Sequence, residues 1–506
     1  MATLKYTAAV AATAVLAGST WLYQNAVQKR RQLEAKAKQN AIVVIDIGSS
    51  SVRASAYVLY QDTWTLVPGS LHQHKMRALA SDGTAEFHVV KKVVEGVIDG
   101  TLQWLAQDGG FRVLAVGFSS FAMSLVGVDG QGTPVTPVLT YAGRCAAEAK
   151  SLNKTLAQQG LQQEIYNRTG APIHSAYAAP QLLKLQDKNS VESWQSLVGV
   201  MLRQWTTIGG PVPMGYSEAS WTGLFDFRQG IWDAKLLELS HTNPSTMPEI
   251  QDPSVPVPKL NSKYAARWPL LSQADFYLAL GDGAAANIGS KSSTPEYEPL
   301  VVQSKQLCSR IGLTVGTSAA LRVMCPLSEM KRVPRGLWCY RVDKENVILG
   351  GALTDGGSVY EWATRTLALS PGDAKKLESM EPNSHGLTFL PFLSGERAPG
   401  WHQEATCTIS GITTSTTPVD ILRASLESVA LRLGAIYALF GEYVSSDAIV
   451  VASGTALSSS SLWRQIIADV LGRAVWIETD AVELTSRGVA MFVGSEAFSP
   501  SPCEIS

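Results

Sequence analysis

Residues Ile42 to Val58 read IVVIDIGSSSVRASAYV: an apolar run reaching Asp46, four small residues from Gly48 to Ser51, and a second β-rich run. Two apolar runs about such a turn predict a pair of antiparallel strands. The turn has two readings. It is a plain hairpin connection, or it is a phosphate loop, because small residues let backbone N–H groups close around phosphate oxygens while Ser hydroxyls add donors. Asp46 asks for a partner, since a carboxylate closing Val43-Val44-Ile45 loses hydration unless a cation or donors meet it. Mg2+, bound directly or through water, is one such cation. Arg53, on the second run, either reaches back over the same phosphates or lies on an exposed edge strand.

The pattern returns in LCSRIGLTVGTSAALRVMC, Leu307 to Cys325, where Gly316, Thr317 and Ser318 answer Gly48, Ser49 and Ser50. A strand–turn–strand unit used twice points to internal duplication, with two similar domains facing one cleft and holding a polyphosphate from both sides. The copies differ at one place. Thr314 stands where the first copy has Asp46, which assigns the metal-organising task to the N-terminal copy.

Around these units TWTLVPG adds a third strand to an opening meander. VVKKVVEGVIDGTLQWLA, Val89 to Ala106, has helical spacing, and FRVLAVGFSS returns to a buried strand, so the class is α/β. YLALGDGAAANIGS sets Asp282 between two glycines before an Ala-rich helical start. A carboxylate there serves as general base toward a hydroxyl attacking a γ-phosphorus, or as a helix N-cap, and the two roles are compatible. AIVVASGTALSSSSLWRQIIADVLGRAVWI runs strand, small-residue loop, helix and strand, a nucleotide-binding arrangement in many α/β proteins. GSKSS, from Gly289, imitates a Walker A end, but Ser290 breaks the required G-K-[ST] and excludes a P-loop. H-E-x-x-H and G-x-S-x-G are absent, which removes zinc protease and α/β-hydrolase readings.

A chain of 506 residues needs at least two domains. The 42 Lys plus Arg nearly balance 43 Asp plus Glu, and no basic block lies in the globular part, which argues against nucleic acid as the main partner. Six scattered cysteines without a C-x-x-C pair suggest neither zinc nor a disulfide framework, and fit a reducing compartment. Residues 7–23 carry no charge and precede the basic QKRRQLEAKAKQ. That segment is a single-pass membrane anchor, a cleaved signal or mitochondrial targeting segment, or a soluble helix. With an anchor, Lys29, Arg30, Arg31, Lys36 and Lys38 keep the C-terminal side in the cytoplasm. The division expected is 1–40 for this segment and its linker, 41–295 for an N-terminal domain with the sugar site and base, and 296–498 for a C-terminal nucleotide domain. The polar stretch from Gly289 to Pro299 forms the crossover.

TGAPIHSAY, YSEASWTGLFDFRQGIWDAKLLEL, LTVGTSAALRV, LPFLSGERAPGW and LWRQIIADVLGRAV follow one another in the chain. Through them it resembles the FGGY family of carbohydrate kinases from about Ala41 to Phe498, nearest the gluconokinase-like branch. The resemblance implies a two-domain actin-like, ribonuclease H-like ATPase fold with a central interdomain cleft, and ATP and Mg2+ as cofactors. It places Asp46, Gly48, Ser49, Ser50 and Arg53 in a first phosphate loop, Gly316, Thr317 and Ser318 in a second, and Asp282 as catalytic base. Gly454, Ala456 and Ser459 match the adenosine loop, with Thr455 replacing a glycine, while Gly350, Gly351, Gly356 and Gly357 line the nucleotide side.

Around the acceptor the resemblance implies Met123, Arg144, Tyr177 and Asp282. There the pattern changes: Met123 replaces a polar residue, often His; TYAGR has Tyr141 for Trp and Gly143 for Asp; and Ala178 replaces an aromatic. The implied activity is ATP-dependent phosphorylation of a hydroxyl on a sugar, polyol or sugar acid. The alternative is a membrane-tethered sensor or scaffold that keeps the fold without catalysis.

Overall fold

The structure, a computed structural model, describes residues 38–76, 79–185, 188–290, 308–478 and 483–497. The expected anchor at 7–23, the basic linker, and the domain boundary at 295 and 296 with most of its crossover lie outside these residues.

The opening stretch forms the centre of a seven-stranded sheet. Strands β1 (Gln39–Ile47), β2 (Ser51–Tyr60), β3 (Thr63–Leu66) and β4 (His72–Lys75) pair antiparallel, β4 lying against the start of β2. Helix α1 (Phe87–Asp108) then crosses to β5 (Phe111–Ser120), which runs parallel to β1. The short strands β6 (Asp275–Phe276) and β7 (Leu280–Gly281) add beside β5, and α2 (Asp282–Gly289) follows directly. Ala41 through Ile45 have no exposed surface. A strand covered on both faces needs apolar residues at every position, which is why this one reads as a continuous run.

The second half repeats the plan in a six-stranded sheet. Its strands are β8 (Cys308–Val315), β9 (Ala319–Pro326), β10 (Trp338–Arg341), β11 (Asn346–Leu353), then helix α3 (Pro418–Phe440), β12 (Val444–Ser453) and β13 (Val475–Ile477). β8 pairs antiparallel with β9 and parallel with β12, as β1 does with β2 and β5. Asp46 thereby pairs with Arg53 and Ser119, and Thr314 with Ala320 and Ser453. Among the described residues only α3, continued to Tyr443, is long and apolar enough to cross a membrane. Half of that window is buried in the C-terminal domain, where Leu422, Leu426, Val429, Leu433 and Ile436 form a stripe, so it is a core helix.

The halves are joined by more than a hinge. One apolar cluster includes Leu125, Trp194 and Phe225 from the first half and Leu313, Val347 and Phe440 from the second. The Tyr166 hydroxyl donates to the Pro334 carbonyl (2.8 Å), and the Arg341 N–H donates to Ser220 Oγ (2.9 Å). The final helix, α4 (Leu484–Ala497), leaves the C-terminal domain and packs on α2, β5 and β1. A Cβ on Gly289 would lie 1.8 Å from the Leu484 carbonyl oxygen, and one on Gly488 1.8 Å from that of Ala285. The two helices therefore touch backbone to backbone, which only glycine permits. Gly488→Ala is expected to force them apart, costing about 1–3 kcal/mol in urea denaturation.

In the N-terminal core Glu218 is 4% exposed and burial pushes its carboxyl up to about 8. The Ser196 hydroxyl and Gly215 amide lie nearest and pull the other way, but neither closes a well-formed hydrogen bond on it. Between its ordinary 4.5 and about 8 the folded chain holds a proton that the unfolded chain releases. Stability is therefore full at low pH and falls as pH rises through that interval. Glu218→Gln is expected to raise Tm more at pH 8 than at pH 5; an equal change at both would contradict the assignment.

Candidate functional site

Each repeated unit carries its turn to the mouth of one cleft. In the first, the Gly48 N–H donates to the Ser51 carbonyl (2.9 Å), Ser50 is exposed, and Ser49 Oγ accepts from the Tyr141 hydroxyl (3.0 Å). In the second, the Gly316 N–H donates to the Ser318 carbonyl (2.9 Å), and Thr317 and Ser318 are exposed. The Gly356 N–H donates to the Thr317 carbonyl (2.9 Å) and the Gly357 N–H to that of Gly316 (2.7 Å). Gly454 has φ +104°, and a Cβ there would lie 2.3 Å from the Val315 carbonyl oxygen. The segments holding Gly316–Ser318, Gly356 and Gly454 thus meet, and the short helix Thr455–Ser459, with Ala456, begins at this junction. Gly350 and Gly351, expected on the nucleotide side, instead sit inside β11 under Trp338 and Ile436.

Asp355 went unnoticed in the sequence. It is 5% exposed and accepts from the Ser394 N–H (2.8 Å) and the Ser358 hydroxyl (3.0 Å), tying the second loop's neighbour to residues 394–404. Its one sequence signal is the TDGG that precedes the helix.

Asp282 opens α2. The N-cap is Gly281, so the capping alternative is not what forms; Asp282 Oδ1 accepts the N–H of Gly283 (2.6 Å). Asp282 is exposed to solvent at the surface, with protein packed around its base. That packing raises its proton affinity, opposed first by Arg322 and then by the Gly283 N–H and Arg397. Asp46 is 5% exposed and burial pushes it up to about 6, against the pull of Arg53 and with a push from Asp282.

Arg53 does not reach over the loop, nor is it free on an edge. Its Nη1 lies 3.1 Å from Asp46 Oδ2 and 3.4 Å from Glu483 Oε2, which fixes the guanidinium between two carboxylates. Glu483, just before α4, was missed because nothing local relates it to β2; only the return of α4 to the first sheet brings them together.

Between the domains lies a cavity of about 440 Å³, whose walls include Tyr141, Arg144, His174, Ser175, Arg397 and Gln403. Arg144, expected near the acceptor, lines this cavity. Two other expectations are corrected. Met123 is 1% exposed with a left-handed backbone (φ 51°) and packs in the core rather than on this wall. Tyr177 is 5% exposed, its hydroxyl 2.7 Å from that of Tyr340 and its ring beside Trp401, so it supports the wall from behind. Arg397 lies over the Tyr141 ring (5.3 Å to its centroid), and burial, helped by Arg397, pushes His174 down to about 4. The Ser175 hydroxyl donates to Gln403 Oε1 (2.7 Å) across the domains.

Comparison with known proteins agrees with this architecture. The model of the FGGY family of carbohydrate kinases, N-terminal domain, matches residues 41–289, and that of the C-terminal domain matches residues 312–496. A gluconokinase of Bacillus subtilis (strain 168) is 24% identical over 443 residues, 84% of this chain and 82% of that one. A glycerol kinase of Polaromonas naphthalenivorans (strain CJ2) is 28% identical over 421 residues, 75% and 78% of the two chains. Among solved structures, gluconate kinase from Lactobacillus acidophilus superposes with TM-score 0.77 at 21% identity, covering 92% of this chain and 90% of that one. Plasmodium falciparum glycerol kinase with ADP gives 0.75 at 19%, covering 93% and 92%. These likenesses establish the two-domain actin-like fold. The chain belongs to the FGGY family of carbohydrate kinases.

Arg53→Met leaves Asp46 and Glu483 without their shared cation. The expected loss is about 1–3 kcal/mol near neutral pH. It should shrink below about pH 6, where Asp46 takes up its proton, as urea denaturation across pH would show.

Proposed function

We propose that this FGGY carbohydrate kinase transfers the γ-phosphoryl group of ATP to a hydroxyl of a small sugar, polyol or sugar acid. One observation carries the reading: an exposed carboxyl, Asp282, opens a helix of the N-terminal domain beside Arg322 of the C-terminal domain, and each domain presents a matched Gly/Ser/Thr loop. Gly48, Ser49 and Ser50 on one side and Gly316, Thr317 and Ser318 on the other hold the phosphates with exposed hydroxyls and backbone N–H groups. Gly356 and the segment Gly454, Thr455, Ala456 and Ser459 face the adenosine.

Asp282 takes the proton of the acceptor hydroxyl as that oxygen bonds to the γ-phosphorus and the bond to the leaving ADP oxygen breaks. Its raised proton affinity makes it a better base than an open carboxylate. Asp46 accepts from Arg53 at Oδ2 (3.1 Å). Asp46 would hold Mg2+ as one carboxylate ligand, with phosphate oxygens and water completing the shell. Bound there, Mg2+ supplies charge neutralisation of the phosphates.

The cavity is of a size for a monosaccharide-like acceptor. Arg144 and Arg397 reach it, as do Glu404 and Glu396, the latter ion-paired to Arg432. A cytoplasm-facing kinase region, divided near residues 295 and 296, fits the demand for ATP. The scaffold alternative has no such observation behind it.

Asp282→Ala is expected to leave ATP affinity within about threefold while lowering acceptor-dependent turnover by about 10²–10⁴-fold. A coupled assay with gluconate, xylulose and glycerol checks this, and unchanged turnover with any of them would remove Asp282 from the base role.

A further inference from the structure

We propose that Arg322 is a positioning residue for this transfer: carried by the C-terminal domain, it closes against the start of α2 and supplies the cation that Asp282 needs once ligands fill the cleft. The inference rests on the reading of Asp282 as base.

Strand geometry aims the side chain. Leu321 and Val323 have no exposed surface and point into the C-terminal core, so Arg322, between them on β9, points the other way, toward the N-terminal domain. Its Nη1 donates to Thr314 Oγ1 (3.3 Å), which lies 3.2 Å from Ser453 Oγ. Thr314 and Ser453 end the strands that lead into the Gly316 and Gly454 loops. At the other end, a Cβ on Gly283 would sit 2.9 Å from Arg322 Nε, so the guanidinium lies against the residue whose N–H binds Asp282. A polar path thus runs from both nucleotide-side loops, through Arg322, to the base.

The duplication explains why this charge is available. In the first copy the strand ends in Asp46, and the arginine of the following strand, Arg53, is taken up by Asp46 and Glu483. In the second copy the corresponding residue is the neutral Thr314, and the arginine of the following strand is Arg322. Among the described residues no carboxylate of either domain lies within ion-pair distance of it, and its guanidinium lies beside Gly283, next to Asp282. The charged groups that bear on Asp282 are Arg322 from β9, Arg397 from the 394–404 segment, and Asp46 from β1, which opposes its ionisation. With Arg53 engaged elsewhere, Arg322 is the main cation there. When acceptor and nucleotide displace water, an ionised Asp282 without this partner would be left uncompensated, and closing would be disfavoured.

The test uses the full chain and two readouts. In hydrogen exchange with Mg-ADP, the peptide covering 282–289 should be protected in the wild type and lose that protection in Arg322→Met. Combining Arg322→Met with Asp282→Asn should restore it, because a neutral amide does not need the guanidinium. In kinetics with the best of gluconate, xylulose and glycerol, Arg322→Met should lower kcat about 100-fold with the acceptor KM changed less than about threefold. Arg322→Lys should regain at least about tenfold, and Arg322→Met should add no further loss to Asp282→Asn.

Equal protection in wild type and Arg322→Met, or losses that multiply in the double variant, would overturn the proposal. If Arg322→Met does not fold, Arg322→Gln carries the same comparisons. Exchange requires no turnover, so a chain that phosphorylates none of the three acceptors would count against the kinase reading while the exchange result still decides this one.

Discussion

The backbone contact between α2 and α4 at Gly289 and Gly488 sets the position of nearly everything charged in the cleft. Asp282 opens α2, and Glu483 immediately precedes α4. Because the two helices cannot slide without driving carbonyl groups into each other, the base and the second partner of Arg53 are fixed relative to one another. α4 also lies on β1 and β5, so the same crossing relates both carboxylates to Asp46 at the end of β1. The last helix of the described residues is therefore part of the first domain's machinery, although the C-terminal family model includes it.

With the acidic groups so placed, the arginines decide which of them are ionised. Asp46 and Asp282 each raise the other's cost of charge, and enclosure adds to it. Arg53 compensates the first from within its own domain, and Arg322 faces the second from the opposite one. This asymmetry follows from two differences between the copies: Asp46 against Thr314, and Arg53 opposite Asp46 where Ala320 is opposite Thr314, Arg322 lying two residues further along its strand. One half of a duplicated unit keeps its charge balanced internally, whereas the other directs it toward the facing domain.

The acceptor side shows how far a resemblance carries. Arg144 lies on the cavity wall, but Met123 and Tyr177 are behind it, and Arg397, His174 and Gln403 take part of the surface. The Met123 side chain belongs to the apolar core shared by both domains. Tyr141, which replaces the usual Trp, hydrogen-bonds Ser49 and carries Arg397 on its ring, linking the cavity to the first loop.

Several features were legible in the sequence because they are local. The two strand–turn–strand units, the α/β alternation and the helix opening at Asp282 follow from strand and helix periodicity and short turns, where neighbours in space are neighbours in the chain. Glu483 against Arg53, Arg322 against Gly283, Asp355 against Ser394, and the burial of Met123 and Tyr177 were decided only by the tertiary structure. A carboxylate's partner is whichever cation lies within a few ångströms in a poorly hydrated place, and a residue's exposure depends on what packs over it. Both are set by the meeting of segments far apart in the chain, which no local pattern records.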